Sequence, residues 1–498
     1  MENNSSTQLF LDKNIKKENN VEHKLEENAI LQNSLENKKK PSVKKVVIIG
    51  GGACGMAAAT KIRRQSNFEI IVISSDSHTA YSHCGIPFVL GREIENFEKL
   101  IVKPLEFFKK NNINLRLNQS VKSIDLNSKI VKTEQGVYPF DELVIATGSL
   151  PFIPRKSRAN ILPYGIFTLR NLSDGILLEK TLETVKKNCI IGGGTIGIEC
   201  AVAFVRRGIK TVLINRNKNL LSKQLDPDIE GILRAHLESL GIEIITGEPV
   251  LVPENFWKEK ILHIGNRQFP ADLILIATGV RPEISLARET GIEIGKAGGI
   301  IVNEMLQVKK GKTFLPYVYA GGECAEVIDL ITGETRLSQL GTTARSMADV
   351  IANNITGKNT TFRPRIDPWV AVAGDLQFGG VGITSKKAAD YGIELVTGFS
   401  RGRTRASYYP GRKDLFIKLL FKENILVGAQ LAGGEGIKER IDGLSFAIRK
   451  KATIKELLEA ETCYAPPVSM LVDPILPAVK AASRNLKERE NKAANKIN

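Results

Sequence analysis

The sequence lacks the features that define several protein classes. No apolar run approaches the roughly 20 residues of a membrane-spanning helix, and the N-terminal segment has no signal-peptide core. We therefore predict no membrane association and a cytoplasmic location. The six cysteines form no CxxC or CxxxxC pair, and the five histidines show no metal-ligand spacing. These absences argue against a disulfide framework and against a metal site.

The formal net charge of +16 raises the question of a nucleic-acid partner. Lys and Arg are scattered along the whole chain, and acidic residues accompany them almost everywhere. There is no basic motif with interleaved aromatic residues and no helix-turn-helix pattern. The charge is typical of a Lys-rich solvated surface, so we predict no nucleic-acid partner.

The two ends of the chain are polar. Residues 1–43 are rich in Asn, Lys, Glu and Ser, and they cannot bury enough apolar surface to offset the entropy lost on ordering. We predict that this segment is a disordered tail. Residues 479–498 are predicted to form a second polar tail.

Between these ends the chain contains an internal repeat. An apolar strand pattern, a glycine-rich turn and a helical pattern follow one another over residues 46–64, and the same order recurs over 189–207. Each copy ends in an apolar strand that runs into Ala-Thr-Gly, at 143–148 and 273–279. The repeat predicts two similar α/β nucleotide-binding domains. From about residue 363, short β-type and helical runs alternate, which predicts a third, α+β domain.

Both glycine-rich turns have the GxGxxG spacing of a dinucleotide-binding fingerprint in its proper context, between a strand and a helix. The first glycine permits a tight turn, the second lets a pyrophosphate approach the backbone, and the third lets the helix pack on the strand. The helix N-terminus then faces the phosphates. The predicted nucleotide-binding glycines are Gly50, Gly52 and Gly55 in the first copy and Gly192, Gly194 and Gly197 in the second.

The acid that normally binds the ribose hydroxyls, about 20 residues after the fingerprint, is missing from both copies. The first has Ser74 at this place, with Asp76 close by, and the second has Asn215, followed by Arg216 and Lys218. Cations in place of an acid favour a 2′-phosphate. NADPH is therefore at least as well supported as NADH, and the preference stays open.

These residues resemble the flavin-dependent pyridine nucleotide-disulfide oxidoreductases over roughly residues 44–478. Residues 319–326 resemble the family's second FAD motif, with Glu323 in place of the Asp that binds the ribityl chain, and residues 340–344 resemble the helix start that faces the flavin ring. The resemblance implies that FAD binds at the first fingerprint and NAD(P)H at the second. It adds to the expected cofactor-binding residues Ala146, Thr147, Gly148, Gly279, Thr342 and Ala344.

The fold that the resemblance implies is α/β, with two Rossmann-like nucleotide-binding domains and a C-terminal α+β dimerisation domain. The expected boundaries are 44–160 and 285–362 for the FAD-binding domain, 161–284 for the NAD(P)-binding domain and 363–478 for the dimerisation domain.

The segment 82–88 decides between branches of the family. Two-cysteine members carry CxxxxC, whereas here the residue five positions after Cys84 is Val89. The segment resembles the single-cysteine branch, which contains coenzyme A-disulfide reductases, NAD(P)H sulfur or polysulfide reductases, and NADH oxidases and peroxidases. In that branch the cysteine cycles through a mixed disulfide with coenzyme A, a persulfide or a sulfenic acid. Because a thiolate reacts and a thiol does not, we expect Cys84 in a partly exposed, electropositive pocket that lowers its pKa.

The C-terminal segments 406–411, 439–444 and 464–474 resemble the coenzyme A-disulfide and sulfur reductases more than the peroxidases. The resemblance implies a homodimer in which a tyrosine of one subunit assists Cys84 of the other; the candidates are Tyr408, Tyr409 and Tyr464. Arg63 and Arg64 match a basic pair near the coenzyme A nucleotide, although a solvated helix face explains either one equally well.

The leading hypothesis is a flavoprotein that passes electrons from NAD(P)H through FAD to a small-molecule disulfide, persulfide or polysulfide, with coenzyme A disulfide as the favoured acceptor. One alternative is an NADH oxidase or peroxidase in which Cys84 cycles through sulfenic acid. Another is a flavoprotein that senses thiol redox state. Cys463 is the one other cysteine that we consider as a redox thiol.

Overall fold

The computed structural model describes residues 43–154, 162–250 and 256–497. Residues 1–42 of the predicted N-terminal tail therefore lie outside the described residues. The first part of the described chain contains a short 3₁₀ turn at His83–Gly85 and another at Phe97–Leu100. Its other elements are β1 (Lys45–Ile49), α1 (Ala53–Gln65), β2 (Glu69–Ile73), α2 (Ile86–Leu90), α3 (Leu105–Lys110), β3 (Ile113–Arg116), β4 (Val121–Asp125), β5 (Ile130–Thr133), β6 (Val137–Pro139), β7 (Glu142–Ile145) and β8 (Ser149–Pro151).

The middle of the chain repeats the order of strand, glycine turn and helix. Its elements are β9 (Ile166–Thr168), α4 (Leu172–Leu182), β10 (Lys187–Ile191), α5 (Thr195–Arg206), β11 (Lys210–Asn215), α6 (Pro227–Ser239), β12 (Glu243–Thr246), α7 (Phe256–Glu259), β13 (Ile261–Ile264), β14 (Arg267–Pro270), β15 (Leu273–Ile276) and β16 (Val280–Pro282). Next come α8 (Ser285–Glu289), β17 (Gln307–Lys310), β18 (Thr313–Ala320), β19 (Glu326–Ile328), β20 (Thr335–Leu337) and α9 (Gly341–Ile355).

The last part contains five antiparallel strands and four helices. They are β21 (Trp369–Ala373), β22 (Leu376–Gly382), α10 (Ser385–Asp390), β23 (Val396–Arg403), β24 (Asp414–Lys422), β25 (Ile425–Gly433), α11 (Ile437–Arg449), α12 (Ile454–Leu458) and α13 (Ile475–Ile497).

Two sheets are built on the same plan. The first has the order β17-β18-β7-β1-β2-β3 and the second the order β12-β11-β10-β15-β9. The strand that leads into each glycine turn, β1 or β10, lies between two parallel neighbours. These strands are continuous apolar runs because helices cover both faces of such a sheet. The predicted α/β class and the two Rossmann-like folds are confirmed.

The first sheet is completed by strands from a distant part of the sequence. β18 pairs in parallel with β7, and β17 adds to it as an antiparallel edge strand. The segment that resembles the second FAD motif directly follows β18, so this pairing brings it to the carboxyl edge of the sheet that carries the first fingerprint. Ligands of parallel α/β sheets bind at this edge.

The third sheet, with the order β21-β22-β25-β24-β23, is antiparallel and carries α11 and α13. The predicted polar tail over 479–498 is wrong in its first part, because Val479 and Ala482 are buried in the core of this sheet. An ideal Cβ on Gly398 would lie 2.0 Å from the Ala478 carbonyl oxygen, so the helix packs directly on β23. The few apolar residues at the start of this polar stretch belong to the buried face of an amphipathic helix, which the overall polar composition did not indicate.

The described ranges contain neither a candidate membrane span nor a candidate metal cluster. No helix there has the length and apolar character that crossing a bilayer requires. Likewise, the described part of the chain contains no group of three His, Cys, Asp or Glu side chains placed to hold a metal ion.

Replacing Gly398 with Ala will push α13 away from β23, since the added methyl group has no space against the helix backbone. We expect the free energy of unfolding to fall by about 1–3 kcal/mol. Gly443→Ala, within α11 and with open space around its Cβ position, is the matched control and should be neutral or slightly stabilising. Thermal and denaturant unfolding of the holoenzyme would measure both, and equal stability of the two variants would contradict the packing described for α13.

Candidate active site

The two glycine turns bring each helix against the end of its strand. An ideal Cβ on Gly55 would lie 2.0 Å from the Gly50 carbonyl oxygen, and one on Gly197 would lie 2.0 Å from that of Gly192. By contrast, a Cβ on Gly52 or on its counterpart in the second turn, Gly194, would meet nothing within 4 Å. The second glycine of each turn therefore faces open space, as the binding of a pyrophosphate requires.

The helices that follow these turns begin without a side-chain cap. Gly52 is the N-cap of α1 and Gly194 the N-cap of α5, and neither end has a side-chain hydrogen bond. Unbonded backbone N–H groups at a helix start attract an anion. The residues present thus fit FAD at the first turn and NAD(P) at the second.

The residues predicted to bind ribose make internal contacts. Ser74 is buried at the end of β2, and Asp76 accepts a 2.9 Å hydrogen bond from the Tyr81 hydroxyl. Asn215 accepts a bond from the Gly193 N–H at 3.1 Å and donates to two carbonyl groups in the following loop. Arg216, next to it, is exposed. The ribose contacts of these residues stay predictions.

Glu323 lies in an ion pair that the sequence did not reveal. The Arg170 guanidinium is 2.6 Å from the Glu323 carboxylate and also donates to the Ser149 carbonyl at 3.0 Å. The Ser149 hydroxyl donates to the same carboxylate. Arg170 precedes α4, far from Glu323 in sequence, and no local pattern links the two.

The other expected cofactor residues lie at three places: directly after β7, after β15 and in the first turn of α9. Thr147 donates to the Glu283 carbonyl at 2.6 Å, and Gly148 and Gly279 both have positive φ, at 69° and 99°. Ala146 is the residue whose carbonyl the first fingerprint glycine approaches. At the start of α9, which has no side-chain cap, Thr342 is exposed and Ala344 is buried.

Cys84 occupies the 3₁₀ turn directly before α2 and is exposed. Gly85 lets this turn pack against Leu100, whose Cδ2 would lie 2.4 Å from an added Cβ. Val89 is buried on α2, so no second thiol stands at the position where two-cysteine relatives carry one. All six cysteines are free, and Cys463 is the only other exposed one.

The charges near Cys84 contradict the expected electropositive pocket. Reduced hydration of the thiol raises its pKa, the carboxylates of Glu199 and Glu323 raise it further, and Arg170 lowers it. Within the described residues the balance therefore favours the thiol over the thiolate. The expectation was wrong because Glu323 and Glu199 come from segments distant in sequence that only the fold brings near Cys84.

Glu199 is a site residue that the sequence analysis missed. It lies on α5 among apolar residues, and burial raises its pKa to about 7. It lines a small cavity with Pro87 and Phe88, which belong to the helix that follows Cys84. An acid on an otherwise apolar helix face, two residues after the last fingerprint glycine, was the available signal.

Two of the three candidate tyrosines lie together. The hydroxyl groups of Tyr408 and Tyr464 are 2.9 Å apart, and their side chains are 73% and 41% exposed. Tyr409 is half-buried, with the Arg405 guanidinium 5.9 Å from its ring. Among the hydrogen bonds of the described chain, none joins these tyrosines to Cys84.

The structure separates Arg63 from Arg64. The Arg63 guanidinium donates to the carbonyl oxygens of Ser66, Phe68 and Asn112, so it holds the end of α1 and the loop before β3. Arg64 is exposed instead.

Arg64 belongs to a cluster of three cations with Lys103 and Arg345. Reduced hydration, then the charges of Arg64 and Arg345, lower the pKa of Lys103. Main-chain hydrogen bonds pair the segment before Cys84 with the segment that ends at Lys103: Ser82 donates to Leu100 and Val102 donates to Ala80. The cluster, called the Arg64 cluster below, is thereby tied to the turn that carries Cys84.

Comparisons with known proteins agree with this geometry. Residues 44–348 match the family described as pyridine nucleotide-disulphide oxidoreductase, and residues 369–474 match its dimerisation domain. An NADH oxidase of Methanocaldococcus jannaschii is 37% identical over 89% of this chain and 100% of its own. An NAD(P)H sulfur oxidoreductase (CoA-dependent) of Pyrococcus abyssi is 33% identical over 87% and 97% of the two chains.

A solved structure shows the same fold. The NAD-dependent persulfide reductase of A. fulgidus has a TM-score of 0.83 and 28% identity, and the similarity covers 90% of this chain and 84% of that one. The match to the dimerisation domain supports the predicted homodimer. Together with the two glycine turns and Cys84, these matches establish that the chain belongs to the pyridine nucleotide-disulphide oxidoreductase family, as an oxidoreductase that uses FAD and NAD(P)H.

Proposed function

We propose that this chain reduces a small-molecule disulfide, persulfide or polysulfide with electrons from NAD(P)H, and that coenzyme A disulfide is the favoured acceptor. The observation that carries the proposal is an exposed thiol, Cys84, that has no second cysteine at position 89 and stands on a turn tied to a cluster of three cations. A one-cysteine site takes its second sulfur from the substrate. A polyanionic substrate such as coenzyme A suits the cations.

Separate parts of the chain would bind FAD and the nicotinamide nucleotide. The first glycine turn, the start of α9 and Glu323 would bind FAD, and the second glycine turn would bind the nicotinamide nucleotide. When bound, these cofactors supply the hydride transfer and the two electrons that cleavage of a sulfur–sulfur bond requires. Asn215 and Arg216 would contact the adenosine ribose, and the choice between NADPH and NADH stays open.

Cys84 carries the exchange. Its thiolate attacks one sulfur of the acceptor disulfide, forms a mixed disulfide and releases the other half as a thiolate. Two electrons and one proton then cleave the mixed disulfide, regenerate the Cys84 thiolate and release the second half as a thiol. A polysulfide would react in the same way, with Cys84 passing through a persulfide.

The Arg64 cluster would bind the nucleotide end of coenzyme A. The diphosphate and the 3′-phosphate of that molecule are dense negative charges, and Arg and Lys bind phosphate oxygens with charge-assisted hydrogen bonds. Lys103 ends the segment that is hydrogen-bonded to the residues just before Cys84. The phosphates would therefore bind on the side of the molecule from which the thiol is reached.

The Tyr408–Tyr464 pair would act on Cys84 of the other subunit. Both hydroxyls are exposed, and Val468 and Leu471 beside them are 71% and 73% exposed. Large apolar side chains exposed in one segment favour a protein interface. In the homodimer the pair would donate a hydrogen bond to the departing sulfur.

We place the reaction in the cytoplasm, where a free catalytic thiol persists.

An NADH oxidase is the second candidate, and the name of the Methanocaldococcus jannaschii relative favours it. In such an enzyme Cys84 would cycle through sulfenic acid. Purified holoenzyme should be assayed with NADH and NADPH against coenzyme A disulfide, polysulfide and oxygen. Rapid oxidation of NAD(P)H by oxygen alone, with no response to either sulfur acceptor, would replace the proposal with this candidate.

Cys84→Ser should keep bound flavin and lose disulfide reduction by at least roughly a thousandfold, since a hydroxyl cannot form the mixed disulfide. Cys463→Ser, which removes the other exposed thiol, is the control and should keep its activity. The flavin spectrum and steady-state rates measure both properties. Reduction that survives in Cys84→Ser would show that Cys84 is not the reacting sulfur.

Arg64→Gln should raise KM for coenzyme A disulfide roughly three- to tenfold, because it removes one cation from the phosphates. Its KM for pantethine, the disulfide that lacks the nucleotide, should not change. Arg484→Gln removes one exposed charge from α13 and serves as the control. If both substrates are affected equally, the cluster does not bind the nucleotide end.

Glu199→Gln should lower the pKa of the Cys84 thiol. Burial raises the pKa of Glu199 to about 7, so above that pH its carboxylate is ionised and disfavours the nearby thiolate. The glutamine keeps the shape and removes the charge. Alkylation of Cys84 should be faster than in the wild type above pH 7, and the difference should shrink below it. Glu93→Gln is the control, because Glu93 lines the same small cavity but forms an ion pair with Arg206. A pH profile identical to that of the wild type would exclude this coupling.

A further inference from the structure

An open cavity with a volume of about 360 Å³ lies between α9, the segment that leads into β21, and α11. Ser346 lines it from α9, Arg363 and Arg365 from the connecting segment, and Ser445 and Arg449 from α11. None of the residues assigned above to FAD, NAD(P)H, Cys84 or the Arg64 cluster lines this cavity. It needs an explanation of its own.

The lining of this cavity is positively charged. Its lining contains three arginines and no acidic residue. Among the ion pairs of the described residues, Arg363, Arg365 and Arg449 have no carboxylate partner, in contrast to Arg336, which binds Asp329 and Asp367.

Arg365 occupies an unfavourable electrostatic position. Its Nε atom is buried and has no hydrogen-bond partner among the described residues. Its guanidinium lies 5.5 Å from the Phe362 ring, which also lines the cavity. Reduced hydration, and then the charges of Arg449 and Arg336, lower its pKa below the ordinary arginine value, and the Asp367 carboxylate offsets only part of this effect. Like charges brought together at a partly buried position cost free energy, and a bound anion would recover it.

Hydroxyl groups complete the lining. Thr361 and Ser445 add neutral donors around the arginines, while the Ser346 hydroxyl donates to the Thr342 carbonyl at 2.9 Å. Guanidinium groups bind phosphate oxygens in a bidentate manner, and hydroxyl groups serve the remaining oxygens. A volume of this size accommodates a diphosphate or a small nucleotide.

We propose that this cavity binds an anion that carries one or two phosphate groups. The ligand would contact the connecting segment and α11 at once. Ile366 of the connecting segment already shares a core cluster with α11, and among the hydrogen bonds of the described residues one joins the two parts, from the Arg449 guanidinium to the Pro364 carbonyl at 3.3 Å. Binding would therefore stabilise the connection between the FAD-binding part and the third sheet, and it does not depend on which acceptor Cys84 serves.

The test uses calorimetric titration of the dimeric holoenzyme with inorganic phosphate, pyrophosphate and adenosine 3′,5′-bisphosphate in separate experiments. We expect saturable binding of at least one of them, with an increase in melting temperature. Arg363→Gln/Arg449→Gln should weaken this binding at least about tenfold, because each arginine contributes charge-assisted hydrogen bonds. Ser445→Phe, which fills the cavity and keeps all three arginines, should weaken it as well.

Arg288→Gln/Arg484→Gln removes the same charge from exposed helix positions and is the matched control. Pyrophosphate binding without nucleotide binding would identify the ligand as a free phosphate species, and tighter binding of the bisphosphate would identify a nucleotide. Loss of bisphosphate binding in Arg64→Gln alone would assign that nucleotide to the other cluster. No binding of any probe, or equal binding by the wild type and the cavity double variant, would overturn the proposal.

Discussion

The close approach of a helix to the end of a strand, made twice, is the contact on which this molecule depends. At Gly55 and again at Gly197 the backbone of the helix comes so near a carbonyl group that no side chain fits. That approach directs the free N–H groups of each helix at the edge of its sheet. The strand pairing of β18 with β7 then brings the second FAD segment to the same edge as the first fingerprint. Without these two features, the expected cofactor residues would lie on unrelated surfaces.

The electrostatics of Cys84 follow from this assembly. The helix start that we propose for the nicotinamide nucleotide also carries Glu199, and the segment that resembles the second FAD motif carries Glu323, so the elements proposed to hold the cofactors add negative charge near the thiol. Arg170 offsets part of it through its ion pair with Glu323. A thiolate in these surroundings requires further stabilisation. The five-residue helix α2 is too short for its dipole to stabilise the thiolate much. The substrate phosphates, the cofactors and the partner subunit therefore become part of the surroundings of the Cys84 thiolate.

The third sheet connects the site to the dimer. The Tyr408–Tyr464 pair and the apolar residues beside it project from a segment that the chain itself leaves exposed. α13 packs against β23, the strand that precedes the segment of Tyr408. The arginine cavity lies where this part meets the FAD-binding part, so an anion bound there would affect the joint between the two rather than the reacting sulfur.

Sequence patterns alone were sufficient for the two fingerprints, the α/β class, the missing second cysteine at Val89 and the family, because each of these depends on local spacing. They also singled out Cys84 and Cys463 among the six cysteines, and these are the two that are exposed while the other four are buried. The different roles of Arg63 and Arg64, the ion pair of Arg170 with Glu323, the charge of Glu199 near Cys84 and the packing of α13 were decided by the tertiary structure. Each of these depends on the direction of a side chain or on the approach of segments far apart in sequence. A local pattern does not encode that information, because these contacts join residues that only the folding of the chain brings together.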